Sequence, residues 1–148
     1  CDLATMCDIR IASEAALFAE SFVKLGLIPG DGGAWFLPRA VGVSNANYMS
    51  FTGESIKADK ALQMGLVSEV LASEKLMARA MEIAQLIAKN PPHAVRLAKQ
   101  LIKGSEKSTL DETLDKSASF QAVCHAEPDH QEAIAAFFEK RDGNYRTR

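Results

Sequence analysis

The second half of the chain has the apolar spacing of amphipathic helices. The positions that recur at helical intervals in its first segment are Leu76, Ala80, Ile83 and Ile87, which places them on one helical face. The adjacent prolines at Pro91 and Pro92 end that segment, since the residue before a proline disfavours the helical conformation. Three further helices are predicted around residues 95–102, 110–124 and 128–141.

The first half shows shorter patterns of a different kind. Residues 8–13 and 66–71 alternate between apolar and polar side chains, as strands do, and residues 16–19 indicate a further short strand. A glycine-rich loop at 26–33 precedes a predicted helix over 34–42, which Pro38 requires to be short or kinked. Additional helices are predicted over residues 3–7, 44–50 and 57–64, with a turn at 52–55.

This layout predicts an α/β architecture in two parts. Residues 1–72 form the mixed part and residues 73–148 form the helical part. Because the chain begins Cys1-Asp2-Leu3 without a methionine, we expect it to be a fragment of a longer subunit.

Composition narrows the class of protein. The formal charge of −2 gives no electrostatic basis for binding nucleic acid, and no apolar run approaches the roughly 18–20 residues that span a membrane. The odd number of cysteines argues against a disulfide framework and favours a reducing compartment such as the cytoplasm. The three histidines are scattered, so no metal site is expected.

Several motifs then occur in one order along the whole chain. They include CDLATMCDI at 1–9, LGLIPGDGG at 25–33, LPRAVG at 37–42 and FFEKR at 137–141. Together they resemble the enoyl-CoA hydratase/isomerase (crotonase) family.

The resemblance implies a fold and a substrate class. Residues 1–72 would be the C-terminal part of a crotonase-like spiral of ββα turns. Residues 73–148 would be a helical region that forms a homotrimer, with two trimers packing as a hexamer. The substrate would be an acyl-CoA thioester of fatty acid metabolism, with coenzyme A as part of the substrate and no separate cofactor. In the family, two backbone N–H groups stabilise the thioester enolate. Both lie upstream of Cys1, so we expect this chain alone to be inactive.

The resemblance also identifies a departure from the family's carboxylate pair. Family hydratases use two glutamates for general acid–base catalysis. The first falls on Asp2, which retains a carboxylate with a shorter reach, and the second falls on Phe22, which cannot transfer protons. The pattern therefore favours an isomerase over a two-glutamate hydratase.

Three carboxylates are candidates for the catalytic role. Asp31 in the glycine-rich loop is favoured as the base, Asp2 as its assistant, and Glu20 as the third candidate. Each also has a structural interpretation: Asp31 as the N-cap of the following helix, Asp2 as a contact to solvent or to a helix end, and Glu20 as a solvated surface acid. Alternative functions are a hydratase or carbon–carbon hydrolase using Asp2 and Asp31, and a non-catalytic binding subunit.

Four further residues match or adjoin places that contact substrate in the family. Phe137 and Lys140 correspond to positions that contact the adenine or the phosphate of coenzyme A; alternatively, they are trimer core and a helix-terminal charge. Trp35 and Phe36 would line the acyl pocket or belong to the core.

Overall fold

The computed structural model describes residues 1–145, which form two compact units. The first is Cys1–Ala80, and the second begins at Met81. This division falls within one helix, Leu76–Ala88. The predicted boundary between residues 72 and 73 precedes that helix and stays a prediction.

The first unit combines short strands with helices. Its helices are α1 (Asp2–Thr5), α2 (Gly33–Thr52) and α3 (Ala58–Gln63), and the start of α4 (Leu76–Ala88) follows. Its strands are β1 (Ile11–Ser13), β2 (Leu17–Phe18), β3 (Ile56–Lys57) and β4 (Glu69–Leu71). Strand β1 pairs in parallel with β4, with Ala12 opposite Val70, and β2 pairs antiparallel with β3, with Phe18 opposite Ile56.

Helix α2 joins two helices that the sequence predicts separately over 34–42 and 44–50. The join is a kink at Gly42, whose φ of 77° and ψ of 158° depart from helical values. This combination is accessible essentially only to glycine. Strand β3 follows the predicted turn at 52–55 and includes Lys57, which the sequence assigns to the next helix. The sequence does not predict this strand because two residues are too few to show an alternating pattern.

The core of the first unit is built around the buried face of α2. Its buried members are Ala12, Leu37, Val41, Ala46, Met49, Ile56, Ala61, Leu66 and Val67. Helix α1 packs against α2. This packing brings the beginning of the chain to the N-terminus of α2.

The second unit contains the end of α4 and the helices α5 (Pro92–Ser105), α6 (Leu110–Ala126) and α7 (Pro128–Glu139). The four helices predicted after Ser73 are confirmed. Helix α6 begins with a capping box, in which Thr109 and Glu112 each accept a hydrogen bond from the other's backbone N–H. Within the described part of this unit, Ala136 is the one fully buried residue.

Many large apolar side chains of these helices are exposed. They include Met81, Leu86, Ile102, Leu110, Leu114, Phe137 and Phe138. Across residues 1–145, no helix is both long and apolar enough to cross a membrane. The same residues contain no group of three or more histidine, cysteine, aspartate or glutamate side chains arranged to hold a metal ion.

Candidate active site

Asp2 is a buried carboxylate held by the beginning of α2. Its side chain is 6% exposed, and its Oδ2 accepts a hydrogen bond of 3.2 Å from the backbone N–H of Gly33. Gly33 is the first residue of α2, where unpaired N–H groups and the helix dipole favour a negative charge. The interpretation of Asp2 as a contact to a helix end is therefore confirmed.

The close approach of Asp2 requires glycine at position 33. A Cβ built on Gly33 would lie 2.8 Å from Cγ of Asp2, and closer still to Oδ1. Sequence reasoning overlooked Gly33 as a site residue. Its one signal is the glycine run that directly precedes the helix.

Glu20 is buried more completely than Asp2. It lies between β2 and a 3₁₀ turn over Ser21–Leu25 and is 1% exposed. The interpretation of Glu20 as a solvated surface acid is wrong. The flanking elements are too short for their sequence pattern to reveal which side faces inward.

Burial and Asp2 together change the protonation of Glu20. Desolvation, hydrogen bonding to Asp2 and the negative charge of Asp2 raise the pKa of Glu20 from 4.5 to about 7. Near neutral pH, a large fraction of Glu20 is therefore the neutral acid.

The two carboxyl groups can satisfy each other only if a proton is present. Among the described residues, Oδ1 of Asp2 and both carboxyl oxygens of Glu20 are buried without a hydrogen-bond donor. Two carboxylates cannot donate to each other, whereas one proton converts their contact into a hydrogen bond. Two carboxyl groups whose surroundings give them different pKa values are typical of acid–base pairs in enzymes.

Asp31 lies outside this buried pair. Its side chain is exposed in the loop before α2. The N-cap of α2 is Gly32, which makes no side-chain cap hydrogen bond, so the interpretation of Asp31 as the N-cap is wrong. The role of Asp31 as a base stays a prediction. Phe22, at the predicted position of the family's second glutamate, is half-buried in the 3₁₀ turn.

The two aromatic residues near the start of α2 differ in exposure. Trp35 is 41% exposed, so the core interpretation is wrong for this residue. The Arg39 guanidinium carbon lies 3.3 Å from the centre of the Trp35 ring, a cation–π contact. Phe36 is half-buried, and its ring lies against Gly32.

The predicted coenzyme A contacts lie at the end of α7 in the second unit. Phe137 is 79% exposed, and its ring meets that of Phe138 edge to face at 5.8 Å between centroids. Lys140 follows the helix with a left-handed φ of 53° and donates its backbone N–H to carbonyls of the last turn. The roles of Phe137 and Lys140 toward coenzyme A stay predictions.

Comparison with known proteins agrees on one family. The model of the enoyl-CoA hydratase/isomerase family matches residues 1–148. The short-chain-enoyl-CoA hydratase of Clostridium acetobutylicum is 43% identical over 141 residues, which are 95% of this chain and 54% of that protein. The 1,2-epoxyphenylacetyl-CoA isomerase of Escherichia coli is 36% identical over 138 residues, covering 93% of this chain and 53% of that protein.

A solved structure shows the same fold. The enoyl-CoA hydratase of Bacillus anthracis superposes with a TM-score of 0.94 at 38% identity, over 97% of this chain and 55% of that one. The chain thus spans about half the length of these three relatives. With its crotonase-like fold and a family match along its whole length, the chain belongs to the enoyl-CoA hydratase/isomerase family.

Proposed function

We propose that the protein converts enoyl-CoA thioesters through a thioester enolate, that its main reaction is isomerisation of the double bond, and that Asp2 is the base. The observation that carries the proposal is the burial of Asp2 and its hydrogen bond to the Gly33 N–H. A base held by a fixed donor keeps one orientation toward the substrate, which acid–base catalysis requires.

Isomerisation fits the side chains present, because one base is enough. Removal of a proton from C2 of a 3-enoyl-CoA gives an enolate that the thioester stabilises. Return of the proton to C4 gives the 2-enoyl-CoA, with no change in mass. Phe22, at the position of the family's second glutamate, has no group that transfers a proton.

The sequence favours Asp31 as the base, whereas burial favours Asp2. Asp31 is exposed in this chain, whereas Asp2 is buried and is held by the Gly33 N–H. Asp31 therefore remains a second candidate, with Asp2 then assisting, and its variant belongs in the same experiment.

Hydration is the alternative that the relatives favour. The Clostridium acetobutylicum relative is named a short-chain-enoyl-CoA hydratase, and it is 43% identical to this chain. Addition of water needs one carboxyl to activate the water and another to deliver the α-proton. Asp2 and Glu20 are two neighbouring carboxyls.

In the deciding experiment, the full-length protein is incubated with crotonyl-CoA and, separately, with a 3-enoyl-CoA. The absorbance of the thioester and the mass of the product are followed. Isomer of unchanged mass, formed by the wild type and lost in Asp2→Asn, would support the proposal. Loss in Asp31→Asn with retention in Asp2→Asn would transfer the base role to Asp31. A gain of one water on crotonyl-CoA would contradict the preference for isomerisation. Binding of either thioester without turnover would favour a non-catalytic subunit.

Phe137 and Lys140 are proposed to contact coenzyme A. An ammonium group pairs with phosphate, so Lys140→Ala should raise KM for the CoA thioester. The same variant should leave KM for a pantetheine thioester, which lacks the nucleotide phosphates, unchanged. Equal changes for both substrates would contradict the assignment.

The exposed apolar faces of the second unit are proposed to lie in a homotrimer or a dimer of trimers. Light scattering of the full-length protein measures the oligomeric state.

A further inference from the structure

Both oxygens of the Glu20 carboxyl, in the first unit, are buried without a donor among the described residues. In ionised form, the group would keep an uncompensated charge away from water and next to another carboxylate, which is strongly unfavourable.

One oxygen of the Asp2 carboxylate also lacks a hydrogen-bond donor among the described residues. The Gly33 N–H occupies Oδ2, whereas Oδ1 is buried and has no donor within residues 1–145. A carboxylate fixed through one oxygen only can still rotate about its Cβ–Cγ bond. A second donor would fix the plane of the group.

We propose that Glu20 is a positioning residue for Asp2: as the neutral acid, it donates its hydroxyl hydrogen to the Asp2 carboxylate and fixes the orientation of the proposed base. The assignment rests on the proposed function. One proton shared between the two carboxyl groups gives each of them a hydrogen bond. Asp2 then accepts one hydrogen bond from the Gly33 N–H on one oxygen and one from the Glu20 hydroxyl on the other.

The charged groups that act on Glu20 give the arrangement a defined pH range. Burial, hydrogen bonding to Asp2 and the charge of Asp2 raise the pKa of Glu20 to about 7. The Gly33 N–H at the N-terminus of α2, where the helix dipole favours a negative charge, donates to the Asp2 carboxylate. The positioning hydrogen bond is therefore present below this pKa and is lost as the pH rises through it.

Replacement by glutamine separates positioning from proton transfer. The amide of Glu20→Gln is nearly the same shape, donates an N–H at every pH and cannot transfer a proton under these conditions. If Glu20 positions Asp2, the wild type loses kcat as the pH rises through about 7. Glu20→Gln should keep kcat within about tenfold of the wild type at low pH and should lack the alkaline decline.

Three comparisons complete the experiment. Glu20→Ala, which has no donor, should have low kcat at every pH, and Glu14→Gln removes an exposed carboxylate close by in sequence as the matched control. If Glu20→Gln is as inactive as Asp2→Asn, Glu20 transfers a proton, and the positioning role is overturned. The same alkaline decline in wild type and Glu20→Gln would also overturn it.

An NMR titration of labelled carboxyl carbons tests the pair independently of turnover. Titration of Glu20 near pH 7, shifting toward 4.5 in Asp2→Asn, would support the hydrogen-bonded pair even if neither enoyl-CoA is a substrate and the proposed function fails. Titration of wild-type Glu20 near 4.5 would overturn the inference, whatever the activity.

Discussion

The backbone N–H of Gly33 donates a 3.2 Å hydrogen bond to Oδ2 of Asp2, across 31 positions of sequence. This bond ties the first residue of α1 to the first residue of α2. It determines where the buried carboxylate lies, and Glu20 completes its surroundings. These contacts and others elsewhere in the chain make the following four outcomes expected.

Gly33→Ala should displace Asp2. In a helix alanine is ordinarily more favourable than glycine by roughly 0.5–1 kcal/mol, but here the added Cβ collides with the Asp2 carboxylate. We expect a net loss of roughly 1–3 kcal/mol in the free energy of unfolding, measured by urea denaturation, together with reduced kcat. Gly30→Ala is the control, since the nearest atom to its Cβ would be 3.9 Å away. Equal effects of the two variants would contradict the anchoring of Asp2 by position 33.

The free energy of unfolding should depend on pH through Glu20. Its pKa is about 7 in the folded protein against 4.5 when unfolded, so the folded state binds the proton more tightly. The stabilisation is fully present below pH 4.5, is lost as the pH rises to about 7, and the free energy of unfolding no longer changes through Glu20 above that pH. Glu20→Gln should remove this dependence, as measured by denaturation at several pH values. A Glu20→Gln curve parallel to that of the wild type would show that Glu20 titrates normally.

Gly42→Ala should destabilise the first unit through the backbone alone. Gly42 has a φ of 77°, and nothing lies within 4 Å of where its Cβ would be. The expected cost is therefore conformational strain, roughly 1–3 kcal/mol. Gly104→Ala in α5 is the contrasting variant, since its Cβ would meet only the end of the flexible Lys116 side chain. Thermal unfolding should show a lower Tm for Gly42→Ala than for Gly104→Ala, and the reverse order would contradict the kink.

Arg141 and Glu132 should hold the segment after α7 in a pH-dependent way. Hydrogen bonds from Arg141 and from the Asn144 N–H lower the pKa of Glu132 from 4.5 to about 2. The interaction is therefore fully present above pH 4.5 and is lost as the pH falls through about 2. The Asn144 amide resonance should report this transition and should move to its unbonded position in Glu132→Gln at neutral pH. Glu139→Gln, which removes another carboxylate bonded to Arg141, should leave the Asn144 amide bonded.

The elements that could be predicted from the sequence are those with a long apolar pattern or with prolines at their ends. Four helices after Ser73 follow from apolar spacing and from the prolines at 91, 92 and 128, because each helix repeats its pattern over several turns. The ordered motifs along residues 1–148 likewise identified the family. That Phe22 occupies the position of the family's second glutamate stays a prediction from the resemblance.

Which acidic side chains lie close together could not be predicted from the sequence, because it depends on the packing of the elements. Asp2 lies on a four-residue helix, and Glu20 lies between a two-residue strand and a 3₁₀ turn, where no periodicity indicates burial. Asp31 lies in the more suggestive motif and is exposed, whereas Glu20, which the sequence ranked third, is 1% exposed. Burial is a property of how α1, α2 and the 3₁₀ turn pack, and the pKa of Glu20 follows from that packing because desolvation is its largest cause.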